Sequence, residues 1–255
     1  MNYKLKALIV AVLLSSNLAQ ASLVAAGTGL VYDNVANVTW SSDANLFGTM
    51  LGADPALVSK IRAAVPTITV TPNTLAPTGV YTLNAADFGA GTMTWYGAMA
   101  WAKYLNGINY LGHNTWLLPT TYTQTCAGYG AGLPVVYGVG SGCTNSMLGE
   151  LFYTGLGGVA FSSIVTIHNA AYSLFTNIQN TTYFSSTGDA ANPDNAWSLT
   201  STFGGQFVTL KANQYNSWVA FSSTGASAVP EPGSIALLFS GLALMGARRR
   251  KVRIS

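Results

Sequence analysis

The chain has 255 residues, 49% of them hydrophobic and only 7% charged, with 27 Gly, 6 Trp, 13 Tyr, 10 Phe and 2 Cys. That length and aromatic content support one domain with a real core and exclude a disordered chain. The formal net charge of +3 comes from the two ends; between them Lys60, Arg62, Lys103 and Lys211 stand against Asp33, Asp43, Asp54, Asp87, Glu150, Asp189 and Asp194, which excludes a basic nucleic-acid surface.

The chain opens with Lys4 and Lys6, an apolar run over residues 7–14 and the small-x-small triplet Ala19-Gln20-Ala21. This order predicts a secretory signal peptide over residues 1–21, handled by the Sec translocon and cut by signal peptidase between Ala21 and Ser22. The apolar run falls well short of the about twenty residues a bilayer core takes, so an anchoring helix is the weaker reading.

Residues 22–228 are expected to form a single α+β domain with two short helices and a largely antiparallel sheet. Short strands are predicted at 30–33 and 38–40, separated by a turn around 34–37. Residues 48–91, rich in Pro, Thr and Ala, look like an elaborated insertion with one short helix over 55–64. Thr94 then offers an N-cap, and Ala98, Trp101, Ala102 and Leu105 recur at i, i+3, i+4 and i+7 before Asn106-Gly107. That is an amphipathic helix, with Trp101 read as core packing rather than as a ligand-stacking ring.

A Gly-rich loop carrying Cys126 and Cys143 follows Trp116-Leu117-Leu118-Pro119-Thr120. In an exported chain a lone cysteine pair reads as a disulfide, which on chain entropy contributes roughly 3 kcal/mol for a loop of this size. His113 and His168 lack metal-ligand spacing, so no metal and no cofactor are expected, and both are read as surface or loop residues. Met147, Leu148, Leu151 and Phe152 mark a second helix ended by Gly155, and strands are predicted at 159–167, 181–186, 197–203, 207–212 and 217–221. Gly204-Gly205 reads as a two-residue hairpin turn.

No Ser-His-acid constellation, no carboxylate pairing and no phosphate loop is recognisable, so no catalytic residue is assigned and the domain is expected not to be an enzyme. Asp189, Asn192, Asp194 and Asn195 form an oxygen-rich cluster before Trp197. It reads as an Asx-rich turn, with calcium or ligand binding as the alternative.

At the far end, Val229-Pro230-Glu231-Pro232-Gly233 precedes an apolar stretch over 234–247 and the cations Arg248, Arg249, Arg250, Lys251 and Arg253. An apolar helix closed by a basic cluster is a stop-transfer device, because the cations stay on the cytoplasmic side. Motif, helix and Arg-rich tail together resemble the PEP-CTERM sorting signal, here over residues 229–255. The resemblance implies recognition by an exosortase, cleavage near Pro230-Glu231-Pro232 after a transient inner-membrane stage, and a final place at the surface or in the extracellular matrix of a Gram-negative, exopolysaccharide-producing bacterium. Leu118-Pro119-Thr120-Thr121 superficially matches a Gram-positive sorting motif, but no glycine completes it and no apolar helix follows.

A second resemblance rests on Leu30-Val31-Tyr32-Asp33, Met93-Thr94-Trp95, Leu105-Asn106, Trp116-Leu117-Leu118-Pro119-Thr120, Glu150-Leu151-Phe152, Tyr183-Phe184-Ser185-Ser186-Thr187 and Ala196-Trp197. In this order they are similar to the Lcl C-terminal domain family. That implies a fold related to the C-type-lectin-like and formylglycine-generating-enzyme architecture, with the Trp-x-Leu-Pro-Thr and Tyr-x-Ser-Ser-Thr segments as structural staples. Some members bind sulfated polysaccharide. Leu117 stands where an arginine is usual, which puts an inherited anion contact in doubt. The functional expectation is a non-enzymatic surface or biofilm-matrix protein, with a lectin-like module acting on exopolysaccharide as the alternative.

Overall fold

A computed structural model describes residues 23–121 and 142–222 of the chain. The described residues all belong to one compact unit, and a second unit, Ser223–Ser255, lies outside them. Among the described residues the protein is α+β, with four α-helices and ten short strands, all of the sheets antiparallel. None of these helices is long and apolar enough to cross a membrane.

The central sheet has five strands in the order β1 (Leu23–Ala25), β2 (Leu30–Asp33), β3 (Val38–Ser41), β10 (Ala220–Ser222) and β6 (Trp116–Leu117). Side chains alternate across a strand, so Val219 and Phe221 enter one core while Ala220, Val31 and Trp40 enter the other. The sheet is therefore buried on both faces. β7 (Thr182–Gly188), β8 (Asn195–Thr200) and β9 (Gln206–Leu210) make a second sheet, which likewise divides its residues, Phe184 and Ala196 to the first core and Tyr183 and Leu199 to the second.

The first core is organised by the helix whose cap was legible. It runs Trp95–Gly107, longer at both ends than the apolar spacing suggested. Thr94 Oγ1 accepts the Gly97 N–H at 3.2 Å and donates to Asp87 Oδ1 at 2.8 Å. Trp101 is fully buried and meets Phe47 edge-on. The stretch read as an insertion supplies much of this core: Leu46–Ala53 is helix α1, Leu57–Ala64 is α2, and β4 (Thr67–Thr69) pairs with β5 (Val80–Thr82), contributing Phe47, Leu57, Ile61 and Ile68. The Trp95–Gly107 helix is α3, and α4 spans Met147–Glu150 before a wider turn of helix over Leu151–Gly155. Of these, α2 falls within the short helix expected over 55–64, whereas α1 was not anticipated, because Gly48 and Gly52 interrupt its apolar spacing.

Two other expectations are corrected. Residues 159–167 are turns, not a strand. Phe161 has φ of 64° and Gly157 of 70°, and the Ser162 and Ile167 amides bond back to Val159 and Ser163. Only Ile164 of the apolar residues there is buried, because the segment has no strand to pair with and closes on itself instead. The β8–β9 connection is also longer than two residues: pairing ends at Leu199 and Gln206, and Gly204, at φ 73°, bonds back to the Thr200 carbonyl.

Candidate functional site

The segments that carry motifs converge on one seam. Trp95 at the start of α3 donates its indole N–H to the Ser185 carbonyl at 2.8 Å. Thr121 and Ser185 hydroxyls meet at 3.0 Å, the Ser185 hydroxyl also reaches the Trp197 carbonyl at 2.9 Å, and the Ser186 amide donates to the Pro119 carbonyl at 2.9 Å. Asn106 pins the other end of the same segment, accepting the Trp116 N–H at 2.5 Å and donating to its carbonyl at 2.9 Å. The short neutral hydroxyls of Thr121 and Ser185 are buried and satisfied, and they join the two segments. Leu117 is half-buried and paired to Ala220 in the sheet.

The residues 189–195 form a loop between β7 and β8. Asp189 Oδ1 accepts the Ala191 amide and Asn192 Oδ1 accepts the Asp194 amide, each at 3.0 Å, so both are local Asx turns. Asn195 opens β8, its amide bonded to the Asn192 carbonyl. Asp194 holds Thr74 with both oxygens, at 2.7 Å to the amide and 2.6 Å to the hydroxyl, and these bonds draw its carboxyl below the ordinary range. Beneath the loop Lys211, only 3% exposed, donates to the Pro193 carbonyl at 2.7 Å and lies 4.5 Å from the Trp95 ring centroid. Burial lowers its affinity for the proton, and Asp194 and Asp189 oppose that. The loop is thus tied to α3 by a lysine, a device invisible in the sequence because Lys211 is remote in sequence from Trp95. Among the described residues no three His, Cys, Asp or Glu side chains gather as a metal cluster.

Sequence reasoning also missed a buried acid pair. Glu150, on α4, is 4% exposed, and Asp33, on β2, is fully buried. Asp33 is well supported: Oδ1 accepts the Val35 and Ala36 amides, and Oδ2 accepts the Trp40 indole N–H at 3.3 Å. Among the described residues neither Glu150 oxygen has a hydrogen-bond partner. Burial first, and then the Asp33 carboxyl beside it, push Glu150 up to about 9, so it is a neutral acid at pH 7. The two carboxyls are close neighbours rather than a bonded pair. A carboxyl with raised proton affinity can serve acid–base chemistry, but Glu150 is buried beside Leu148, Leu151 and Phe152 of the second core.

A small cavity adjoins the same core, lined by Leu148, Phe152, Ile164, Tyr183, Leu199 and Trp218 among others. It is apolar and holds no titratable group apart from the Tyr183 phenol, which burial holds well above the ordinary range. On the surface, the turns of residues 159–167 leave Val159, Phe161, Val165 and Ile167 exposed, Phe161 at 62%. The Phe161 amide donates to the Phe203 carbonyl at 2.8 Å, which brings the backbones of two exposed phenylalanines together. His113 stacks on Phe221 with centroids 3.9 Å apart, and His168 stacks on Tyr172 at the same separation.

Cys143 is buried, and no cysteine among the described residues is free. Cys126 lies outside the described residues, as do Ala21, Ser22, Val229, Pro230, Glu231, Pro232, Arg248, Arg249, Arg250, Lys251 and Arg253. Those last residues are where comparison with known proteins is informative. The family model of the PEP-CTERM protein-sorting motif matches residues 228–251. No curated protein and no solved structure matches the chain.

Proposed function

We propose that this chain is a non-enzymatic surface or biofilm-matrix protein, exported through the Sec translocon and released from the inner membrane by exosortase. The observation that carries the reading is the PEP-CTERM motif at 228–251, which marks an exported protein with a membrane-associated sorting step and exosortase as its processing partner. The apolar stretch over 234–247 is short of the about twenty residues that hold a permanent span, and the arginines beyond it fix its orientation. A helix held this weakly suits an intermediate. The remaining parts of the reading are consistent with it: a signal peptide cut between Ala21 and Ser22, a Cys126–Cys143 bridge formed after export, and a domain akin to the Lcl C-terminal and C-type-lectin-like group. The seam joining residues 116–121 to 183–187 supports the last of these, since those are the segments the resemblance names as staples.

The test is to fractionate cells of the producing bacterium and read the C-terminal peptide of the mature chain by mass spectrometry. The proposal expects a chain ending near Ala228, outside the inner membrane; Glu231→Ala with Pro232→Ala leaves the full tail attached. A wild-type protein kept in the inner membrane with Arg253 in place would overturn it.

A second reading, a glycan-binding module for exopolysaccharide, is favoured by one observation: the exposed rim of Phe161 and Phe203 on a surface with few charges. The oxygen atoms of the 189–195 loop give it less support, because Asp189, Asn192 and Asp194 already accept hydrogen bonds from their own chain.

A further inference from the structure

We infer that the rim formed by residues 159–167 and Phe203 is a docking platform for an uncharged polysaccharide chain, with Phe161 as its principal ring. The inference rests on the glycan-binding reading and gives it a place and a ligand class.

Three observations carry it. Five of the twelve exposed large apolar side chains among the described residues lie in one place, whereas the other seven are spread along the chain. Val159 (50%), Phe161 (62%), Val165 (38%), Ile167 (42%) and Phe203 (37%) belong to one short segment and the turn bonded to it, held by Phe161 N–H to Phe203 O at 2.8 Å and Ile164 N–H to Ser201 O at 3.0 Å. A contiguous patch of this kind marks a binding surface more often than isolated apolar residues do. The display is also strained: Phe161 holds φ of 64°, a left-handed conformation in which a bulky non-glycine residue is uncommon. Folding alone gains nothing from turning a phenylalanine out of the core on such a backbone, and strain of this kind gathers at ligand contacts.

The third observation selects the occupant. Residues 157–167 and 200–205 contain no Asp, Glu, Lys or Arg, and Lys211, the buried cation of the neighbouring sheet, is occupied under the 189–195 loop. Nothing here attracts a sulfated or uronic-acid polymer, and no basic rim holds the patch to an anionic membrane. A protein partner is disfavoured by size, since a stable interface takes about 20–30 residues a side and this platform offers five large side chains. A single neutral glycan chain fits the scale. The C–H face of a pyranose ring complements the negative face of an aromatic ring, and the exposed Ser163–Asn180 pair, 2.7 Å apart, supplies polar groups beside it.

The test is affinity gel electrophoresis of the exported chain through dextran, hydroxyethylcellulose and alginate, with Phe161→Ala, Phe203→Ala and Phe161→Trp variants. Both positions are outside the core, so unchanged melting temperatures verify folding. Retardation by at least one neutral polymer, cut tenfold or more in Phe161→Ala, kept in Phe161→Trp, and weaker by several-fold in Phe203→Ala, is the expected result. Retardation by a neutral polymer that is equal in Phe161→Ala overturns the site and leaves the glycan reading standing. Retardation by none of the three polymers overturns both readings, and retardation by alginate alone overturns the uncharged ligand while leaving the glycan reading standing. Phe161-dependent flotation with phosphatidylcholine vesicles, or Phe161-dependent dimerisation on gel filtration, assigns the patch to a membrane or to a second copy and overturns the proposal.

Discussion

Replacing Glu150 by glutamine is the sharpest probe of the interior. Glu150 has its carboxyl pushed up to about 9 against an ordinary 4.5, chiefly by burial and then by Asp33. In the folded chain the proton is held across a range where the unfolded chain has lost it. The contribution of the protonated acid is therefore complete below about pH 4.5, and declines as the pH climbs toward the folded value. The limiting slope is about 1.4 kcal/mol per pH unit for one proton. Between pH 5.5 and 7.5 the wild-type domain is expected to lose up to about 2.7 kcal/mol more than the variant does. Glutamine keeps the shape and a donor toward Asp33 while removing the titration. Every other titratable group is common to both proteins and cancels in the difference. The assay is urea unfolding of residues 22–228, followed by tryptophan fluorescence at pH 5.5, 6.5, 7.5 and 8.5. Asp33→Asn serves as the second arm: burial is the larger cause, so most of the slope survives it. Parallel stability curves for wild type and Glu150→Gln from pH 5.5 to 8.5 would refute the idea that Glu150 is held neutral.

Two further outcomes are expected. Trp101→Ala should cost about 3–5 kcal/mol, as for any fully buried large aromatic, and Trp101→Phe much less, because the Trp101 indole N–H has no acceptor and removing a buried unsatisfied donor recovers about 1–3 kcal/mol; equal losses in chemical denaturation would argue against an unsatisfied donor. Reduction of the exported domain should lower its melting temperature, with the linked Cys126–Cys143 peptide visible in an unreduced digest, and alkylation of both thiols without reduction would exclude the bridge.

What the sequence made legible follows from how local each determinant is. The α3 helix was readable because its cap, its apolar spacing and its Asn106-Gly107 stop all lie within its own residues. β2 and β3 were readable because a turn with Asn37 at φ 53° joins two alternating runs. The failures came where the partner is distant. α1 is hidden by Gly48 and Gly52, and its burial is decided by α3. Residues 159–167 have the Val, Ile and Phe content of a strand, yet a strand needs a neighbour, and the adjacent turn at 201–203 offers only two bonds. Of the candidate site, the oxygen-rich loop could be located from its residues, but not the fact that Thr74 and Lys211 already engage it.

The Asp33–Glu150 pair was the least readable feature, and its position explains why it matters. Each carboxylate is unremarkable in sequence; only the packing of α4 against β2 makes them neighbours in a core with few charges of either sign. A cation at position 117 is absent, and among the described residues the sole ion pair is the exposed Lys60–Asp54 contact at 2.7 Å. Without a counter-charge, the acid pair can be accommodated only by keeping a proton. An exported domain meets the pH of its surroundings rather than a buffered cytoplasm. The same proton that makes Glu150 tolerable in the core therefore ties this pair's contribution to external pH, complete below about pH 4.5 and declining toward the alkaline side.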